Sequence, residues 1–482
     1  MEKGTVKKIA SGLSWSFGER ILAQGVTFIV SIILARILAP EEYGIIALIL
    51  VFINLANVFV TNGFGEALIQ KKDADESDFS TVFWCTLFFS CVLYGILFTT
   101  APFIGELYNN PELVILLRVL ALKIPLSSVN TIQHAYVSRR LEFRKFFFST
   151  LGGTVTSGMV GIIMAYLGFG VWALVAQYLV NSTIDTLILL FTVKWRPHLI
   201  FKKKSAAKLM SYAWKVTGAA FINELYTQVR SLIIGRVYSS ADLAYYNRGN
   251  QFPQLFITNI VNSINSVFFP IMSKMQDDLV ELKSLARRAL KVSALIIFPL
   301  MTGLIGVAKT LVLLLLTEKW LPCVPFLQIL CLYYMVQPMQ SINWQLMKAV
   351  GRSDLCLKLE IIKKVIGFGL IFATMFISVK ALAWSTALFA FISMIINMIP
   401  NRKLVGYKMS EQIKDIIPYL ILSTCMGITV WVISFVPGLH IAMVLIIQII
   451  GGLVVYFAGC IILKLEAFMF LTTYLQGVIK KK

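Results

Sequence analysis

Long apolar runs separated by short polar segments recur along the whole chain. A helix of ~20 apolar residues is long enough to cross the ~30 Å hydrocarbon layer of a membrane. The pattern therefore predicts an all-α, polytopic membrane protein with about fourteen transmembrane helices. We place them at residues 12–38, 42–65, 79–101, 111–134, 146–167, 170–193, 211–238, 249–272, 289–308, 325–347, 359–378, 380–400, 415–435 and 440–463.

The first long helix and the turn that ends it recur 200 residues later. The segment SGLSWSFGERILAQGVTFIVSIILARILAPEEYG begins at Ser11, and SYAWKVTGAAFINELYTQVRSLIIGRVYSSADLAYY begins at Ser211. Internal repeats in an apolar chain are typical of transporters. We expect two parallel six-helix lobes, residues 1–200 and 201–400, related by an axis normal to the membrane. Helices 13 and 14, within residues 401–482, fall outside the repeat. Because neither has an ionisable residue well inside it, we expect a peripheral, lipid-facing pair.

Basic residues are distributed unequally between alternate loops. One set of loops holds 33 Lys and Arg, and the opposite connections hold 6. Loops rich in Lys and Arg stay in the cytoplasm, so we expect both termini inside. The basic set comprises 1–11, 67–78, 135–145, 194–210, 273–291, 348–364, 401–414 and 464–482. The net charge of +20 follows from these loops and does not indicate a nucleic-acid partner.

Motifs of soluble enzymes and metal sites are absent from the sequence. The seven Cys include no CxxC pair, and the three His are scattered near the ends of spans. The segment 303–310 approaches a phosphate-binding loop, but Ala308 replaces its second Gly. The outer loops are too short to fold as a catalytic domain. We therefore expect no catalytic residues, no metal and no cofactor, and a protein that is not an enzyme.

We single out eight ionisable residues inside the predicted spans, where charge is costly. At 1.5 Å per residue, Lys123 lies ~18 Å from the outer end of helix 4, close to mid-membrane. One interpretation is structural pairing, of Lys123 with Asp185 or of Arg230 with Glu224. The other is a water-filled, cationic cavity that binds an anion, because Arg forks and Lys point charges both match phosphate.

The cavity hypothesis assigns each of these eight residues a role. The acids would pair with the cations or exchange protons in ion-coupled transport; they are Glu19, Asp185 and Glu224. The cations would bind the substrate; they are Arg20, Arg118, Lys123, Lys215 and Arg230.

Helices 2 and 8 are rich in asparagine. Hydrogen bonding between packed helices is at least as good an interpretation of these side chains as sugar binding. They are Asn54, Asn57, Asn62, Asn259, Asn262 and Asn265.

Three N-terminal segments resemble a known family. KKIASGLSWSFGERILAQG, LARILAPEEYGIIAL and NGFGEALIQKKD look like the Wzx-like polysaccharide flippases of the multidrug/oligosaccharidyl-lipid/polysaccharide exporter superfamily. GRVYSSADLAYYNRGNQFPQLF, beginning at Gly235, is similar to their colanic acid and teichuronic acid exporter branch. The resemblance covers helices 1–10 in sequence and the remainder only in hydropathy. Many relatives have twelve helices, so the count of fourteen is a departure.

The resemblance implies a flippase in the bacterial cytoplasmic membrane. It would move an undecaprenyl-pyrophosphate-linked oligosaccharide to the outer leaflet for surface polysaccharide biosynthesis, by alternating access of two lobes. Its partners would be this lipid-linked oligosaccharide and the bilayer, with polysaccharide polymerase or assembly proteins as further candidates. The alternatives are a multidrug or cation extruder of the same superfamily, a membrane polymerase, and a scaffold of polysaccharide assembly. The excess of cations argues against the first, and the short outer loops argue against the second.

Overall fold

The computed structural model describes residues 3–62, 75–140 and 144–479, together with Gly65, Leu68 and Glu142. The structure describes the backbone but not the side chains at 3–14, 16, 17, 20, 204, 205, 207–212, 265, 267 and 474–479. The regular elements in these ranges are helices, without a strand, which confirms the predicted all-α class. The chain forms two compact units, Met1–Ala244 and Tyr245–Lys482. The division into lobes at residues 200 and 400 stays a prediction.

We number the described helices in chain order. The first eight are α1 (Lys3–Ile37), α2 (Pro40–Thr61), α3 (Glu76–Leu107), α4 (Glu112–Leu120), α5 (Lys123–Arg140), α6 (Arg144–Tyr166), α7 (Val171–Thr192) and α8 (Lys203–Val237). The next five are α9 (Ser240–Lys274), α10 (Leu279–Leu315), α11 (Val324–Met335), α12 (Gln337–Ala349) and α13 (Ser353–Thr374), with a 3-10 turn at Glu318–Cys323 before α11. The last five are α14 (Val379–Met398), α15 (Asn401–Leu404), α16 (Met409–Ile433), α17 (Ile441–Ile462) and α18 (Glu466–Ile479).

Ten helical segments within the described ranges are long and apolar enough to cross a membrane. A multi-pass membrane protein is therefore confirmed. The segments that fall short of this standard include α1, whose apolar part is Ile21–Ile37, and the broken pair α4 and α5. The exact number of fourteen spans stays a prediction.

The 200-residue register of the repeat recurs in the bounds of the helices. Helices α1 and α8 each contain 35 residues, and they begin at Lys3 and Lys203. The helices that follow begin at Pro40 and Ser240. The same helix and the same short turn are thus built twice.

Two predicted spans are each interrupted near a proline. The expected helix at 111–134 is interrupted at Ala121 and Leu122, which lie four and three residues before Pro125. The expected helix at 325–347 is divided at Val336, shortly before Pro338. Proline has no N–H to donate to the carbonyl four residues earlier, and its ring clashes with that carbonyl. The break is therefore a local consequence of the sequence.

Glycines allow the helices of the first unit to pack closely. A Cβ atom at Gly158 of α6 would lie 2.5 Å from Val30 Cγ2 of α1. On another part of α6, a Cβ atom at Gly153 would lie 3.0 Å from the carbonyl oxygen of Asn181 in α7. Small residues of this kind let membrane helices approach backbone to backbone.

Helix α16, predicted as one of a peripheral pair, packs closely on α10. A Cβ atom at Gly306 of α10 would lie 2.9 Å from the carbonyl oxygen of Gly427 in α16. Gln412, Asp415 and Ser423 of α16 are buried. The sequence did not indicate this contact, because close packing through glycine has no signature in hydropathy.

Loops predicted to share the cytoplasmic side contact one another. Lys202 Nζ lies 2.8 Å from Asp75 Oδ2, which joins the loops 194–210 and 67–78. The hydrogen bond from Lys202 lowers the pKa of Asp75, and the same bond raises the pKa of Lys202. In the second unit, Lys283 Nζ lies 2.7 Å from Glu411 Oε2, which joins 273–291 to 401–414. These contacts are those expected for loops on one side.

Candidate functional site

Arg230 on α8 is a buried cation without an acid partner among the described residues. The residue is 8% exposed. The Nε and Nη2 atoms are buried and have no hydrogen-bond partner among the described residues. The guanidinium carbon lies 5.7 Å from the centroid of the Tyr226 ring, one turn earlier. A buried guanidinium with open donor positions is costly, and an anion that accepts those hydrogen bonds would remove the cost.

Glu224 does not neutralise Arg230. Its Oε1 atom accepts a hydrogen bond of 2.7 Å from Gln228 Nε2 on the same helix. The ion pairs between described residues do not include one between Arg230 and Glu224. The structural pairing considered for these two residues is therefore not formed.

Lys123 and Asp185 also contact other groups rather than each other. Lys123 Nζ, in the first turn of α5, lies 5.3 Å from the centroid of the Tyr178 ring on α7. Asp185 Oδ2 accepts a hydrogen bond of 2.9 Å from Asn130 Nδ2 of α5. Asp185 Oδ1 is buried and has no hydrogen-bond partner within the described part of the chain. Lys123 thus has a cation–π contact, and its charge has no acid partner among the described residues.

Arg118 is held by the neighbouring helix α3. Its Nε atom donates a hydrogen bond of 3.1 Å to the carbonyl oxygen of Phe98. The guanidinium carbon also lies 4.3 Å from the centroid of the Phe98 ring. Part of this guanidinium is thus occupied in joining α4 to α3, and the role in anion binding stays a prediction.

The remaining predicted residues lie on α1 and α8. Glu19 Oε1 accepts a hydrogen bond of 2.9 Å from Thr150 Oγ1 of α6. Lys215 is exposed. Arg20 is helical, but its side chain lies outside the described residues. The contacts of the described residues do not join the eight predicted side chains into one cluster.

A polar contact between α5 and α7 was missed in the sequence. Asn130 binds Asp185, and Gln133, at the next turn of α5, is 1% exposed with both polar side-chain atoms lacking partners among the described residues. Amide side chains within a predicted span are the feature from which this contact could have been predicted. This feature stands out in the sequence only in helices 2 and 8, where asparagine is repeated.

A charged cluster in the second unit was also missed. Asp415 of α16 accepts two hydrogen bonds from Arg287 of α10, of 2.8 Å from Nε and 2.7 Å from Nη2. Tyr407 Oη donates a third hydrogen bond of 2.7 Å to Asp415. Lys291 Nζ lies 3.3 Å from Asp415 and also binds Glu466 of α18. The cluster fastens α16 and α18 to α10, and its charges were counted in the sequence only as loop residues.

An apolar groove of about 900 Å³ lies within the second unit. It is bounded by α10, α16, α17 and α18, with Phe256 of α9. Its lining includes Pro299, Val430, Leu453 and Phe468 and contains no charged side chain. The groove suits a hydrocarbon chain and does not suit an anion.

Solved structures share this fold. The lipid II flippase MurJ, in an inward closed conformation, is 17% identical, with a TM-score of 0.73; the match covers 94% of this chain and 98% of that one. An inward-facing multidrug resistance MATE transporter of the MOP superfamily is 14% identical, with a TM-score of 0.61, over 80% of this chain and 94% of its own.

Characterised relatives are matched over most of their length. The chain is 27% identical to the lipopolysaccharide biosynthesis protein WzxC of Escherichia coli, over 74% of this chain and 73% of WzxC. It is 24% identical to the teichuronic acid biosynthesis protein TuaB of Bacillus subtilis, over 89% of both chains. It is 26% identical to the succinoglycan biosynthesis transport protein ExoT of Rhizobium meliloti, over 68% of this chain and 66% of ExoT. The family model described as polysaccharide biosynthesis protein matches residues 33–325, which is more than half of the sequence. The chain therefore belongs to the polysaccharide biosynthesis protein family.

Proposed function

We propose that this chain is a flippase that moves an undecaprenyl-pyrophosphate-linked oligosaccharide across the bacterial cytoplasmic membrane. The observation that carries the proposal is Arg230, a buried guanidinium with two nitrogen atoms that lack partners among the described residues. A pyrophosphate presents several anionic oxygens that can accept such hydrogen bonds in pairs. Lys123, which has no acid partner among the described residues, would supply a second positive charge.

The open hydrogen-bond donors of Arg230 favour an anionic over a cationic substrate. Glu19, Asp185 and Glu224 each accept a hydrogen bond from a neutral side chain inside the protein. An extruder of cationic compounds would need carboxylates as the dominant charge of its site. The buried Arg230, whose guanidinium has open hydrogen-bond donors, instead fits a negatively charged substrate.

The protein also has a surface that suits the polyprenyl part of the substrate. The apolar groove of the second unit offers a lining without charge for the polyprenyl chain. The names of WzxC, ExoT and TuaB place those relatives in the biosynthesis of lipopolysaccharide, succinoglycan and teichuronic acid, and that of MurJ describes a lipid II flippase. We infer by analogy that this chain transports its lipid without catalysing a reaction, by alternating access of two lobes.

The remaining assignments belong to the same proposal. Arg20, Arg118 and Lys215 would add to the anion-binding field, and the three acids would balance it or take part in ion coupling. Both termini would lie in the cytoplasm, as the distribution of basic loops predicts. A polysaccharide polymerase or assembly protein would act on the product at the outer face.

The experiment compares Arg230 variants in a strain that lacks the gene. Arg230→Ala should reach the membrane at a normal level but restore little surface polysaccharide. Arg230→Lys should retain partial export, because the charge remains and the two-pronged fork is lost. Arg402→Ala, which removes an exposed arginine, is the control and should export normally. Full export by Arg230→Ala at a normal protein level would contradict the proposal.

A further inference from the structure

Helix α9 carries a continuous polar face along its second half. Six uncharged polar residues, all exposed, recur at intervals of one to four residues. They are Gln254, Thr258, Asn259, Asn262, Ser263 and Ser266. At 1.5 Å per residue the face is about 18 Å long. We call these six residues the α9 polar face.

The opposite side of α9 is apolar and packed. Pro253 and Ile257 are buried there, and Ile260 and Ile264 are half-buried. The helix is thus amphipathic within a segment that is long and apolar enough to cross a membrane. An amphipathic helix in a membrane protein buries its apolar side and directs its polar side to water, a polar ligand or another protein surface.

Contacts in the first half of α9 fix the position of the face. Tyr334 Oη donates a hydrogen bond of 3.0 Å to Asn250 Oδ1. A Cβ atom at Gly249 would lie 2.8 Å from the backbone nitrogen of Leu327. The guanidinium carbon of Arg248 lies 4.9 Å from the centroid of the Trp320 ring. The polar face is therefore presented by an anchored helix.

The hydrogen bonding of the α9 polar face leaves capacity for a ligand. Thr258 and Ser263 donate to backbone carbonyls four residues earlier, at 2.9 and 2.8 Å, so their oxygen lone pairs remain available. Asn262 is exposed, and its side chain makes no hydrogen bond with a described residue. Exposed amides in contact with hydrocarbon would be costly, so the face requires a polar environment.

We propose that the α9 polar face binds the sugar part of the lipid-linked oligosaccharide. The inference rests on the proposed function and adds a second element of recognition to it. Sugar hydroxyls are neutral groups that both donate and accept hydrogen bonds, and amide and hydroxyl side chains do the same. The face has no charge that would select an ion, and its length of about 18 Å suits an extended chain of several groups. Two other occupants of the α9 polar face compete with a sugar: water alone, and a helix that packs there in another conformation.

The test measures binding of two probes to the purified full-length protein in detergent. One probe is undecaprenyl pyrophosphate, and the other is the lipid-linked oligosaccharide purified from a strain that lacks the gene. The wild-type protein should bind the glycosylated probe more tightly. Asn262→Leu should lower that preference about tenfold, the loss expected for one or two hydrogen bonds. Its affinity for the bare lipid should change less than about twofold.

Two variants separate sugar recognition from a general effect on the helix. Asn262→Gln keeps the amide and should retain much of the preference, and Thr258→Val should lower it. Thr424→Val of α16 is the matched control for Thr258→Val, because both threonines are exposed and bond to the carbonyl four residues earlier. This control should keep the wild-type preference.

The outcomes distinguish this inference from the proposed function. If the wild-type protein binds neither probe, the proposed function and the sugar-binding face both fail. If it binds the bare lipid as tightly as the glycosylated probe, only the sugar-binding face fails. The same conclusion follows if Asn262→Leu and Thr258→Val keep the wild-type preference.

Discussion

A Cβ atom at Gly44 would lie 1.8 Å from the carbonyl oxygen of Ser240. Gly44 is the fifth residue of α2, and Ser240 is the first residue of α9. In the 200-residue register these positions correspond to Ala244 and Pro40. The N-terminal ends of two repeat-related helices thus pack backbone to backbone inside the unit Met1–Ala244. No side chain fits at this contact.

Replacing Gly44 should therefore disturb the fold more than replacing another helical glycine. In Gly44→Ala the backbone of Ser240 must move, because a carbonyl group cannot rotate away as a flexible side chain can. We expect a lower melting temperature of the purified protein in detergent and a loss of export. Gly25→Ala is the control, because a Cβ atom there meets no atom within 4 Å. Alanine is also the better helix former by roughly 0.5–1 kcal/mol. Equal melting temperatures for the two variants would refute the tight contact.

The cluster around Asp415 should contribute strongly to the stability of the second unit. The Asp415 side chain is 6% exposed and binds Arg287, Lys291 and Tyr407. Asp415→Asn would remove the charge that both cations bind. Because the Arg287 side chain is 42% exposed and Lys291 keeps Glu466, the cost should be about 1–3 kcal/mol. The measurement is thermal unfolding of the full-length protein in detergent.

Glu466→Gln provides the comparison, because Glu466 also binds Lys291 but its side chain is 78% exposed. An exposed pair is worth about 0–1 kcal/mol, so this variant should melt close to the wild type. If Glu466→Gln lowers the melting temperature as much as Asp415→Asn does, burial of the carboxylate is not the cause.

Lys123 should be needed for export even when Asp185 is removed with it. Lys123 contacts the Tyr178 ring, whereas Asp185 binds Asn130. Lys123→Ala should insert normally and export poorly, and Lys123→Ala combined with Asp185→Ala should not recover. A purely structural pair would tolerate loss of both charges. Recovery of surface polysaccharide in the double variant, at equal protein level, would restore the pairing interpretation.

Cysteine labelling in intact cells can test the predicted orientation. In a variant whose native cysteines are replaced by serine, Glu112→Cys should react with an impermeant reagent, because residue 112 follows an expected outer loop and is exposed. Lys203→Cys should react only after the cells are opened, since it lies in the basic segment 194–210. The opposite pattern would reverse the topology.

The sequence predicts helices well where the apolar pattern is continuous, and poorly where a helix continues into water. The apolar run at 289–308 becomes α10, which begins at Leu279 and ends at Leu315. The apolar run marks only the hydrocarbon layer, while Asp278 caps the helix further out by accepting from Val280 N and Glu281 N. Capping and charge determine the ends of such helices, and hydropathy does not record them.

The candidate site shows the same limit. Charge within an apolar run identified Arg230 and Lys123, because every such charge requires an explanation. The hydrogen-bond and ion-pair partners of the polar side chains could not be predicted in this way, because they depend on which helices pack together. Asn130 and Asp185 are 55 residues apart, and Arg287 and Asp415 are 128 residues apart. A single sequence carries no direct record of such contacts.

The α9 polar face is uncharged, whereas the groups assigned to the pyrophosphate are cations on other helices. Exchanging one amide or hydroxyl for another on α9 changes which sugar hydroxyls are met and leaves the net charge of the chain unchanged. Insertion into the membrane and attraction of the anionic lipid are then preserved while the accepted glycan changes. Selection can thus diversify the cargo of such a protein through a few surface positions of one helix, without rebuilding the machinery that holds the lipid.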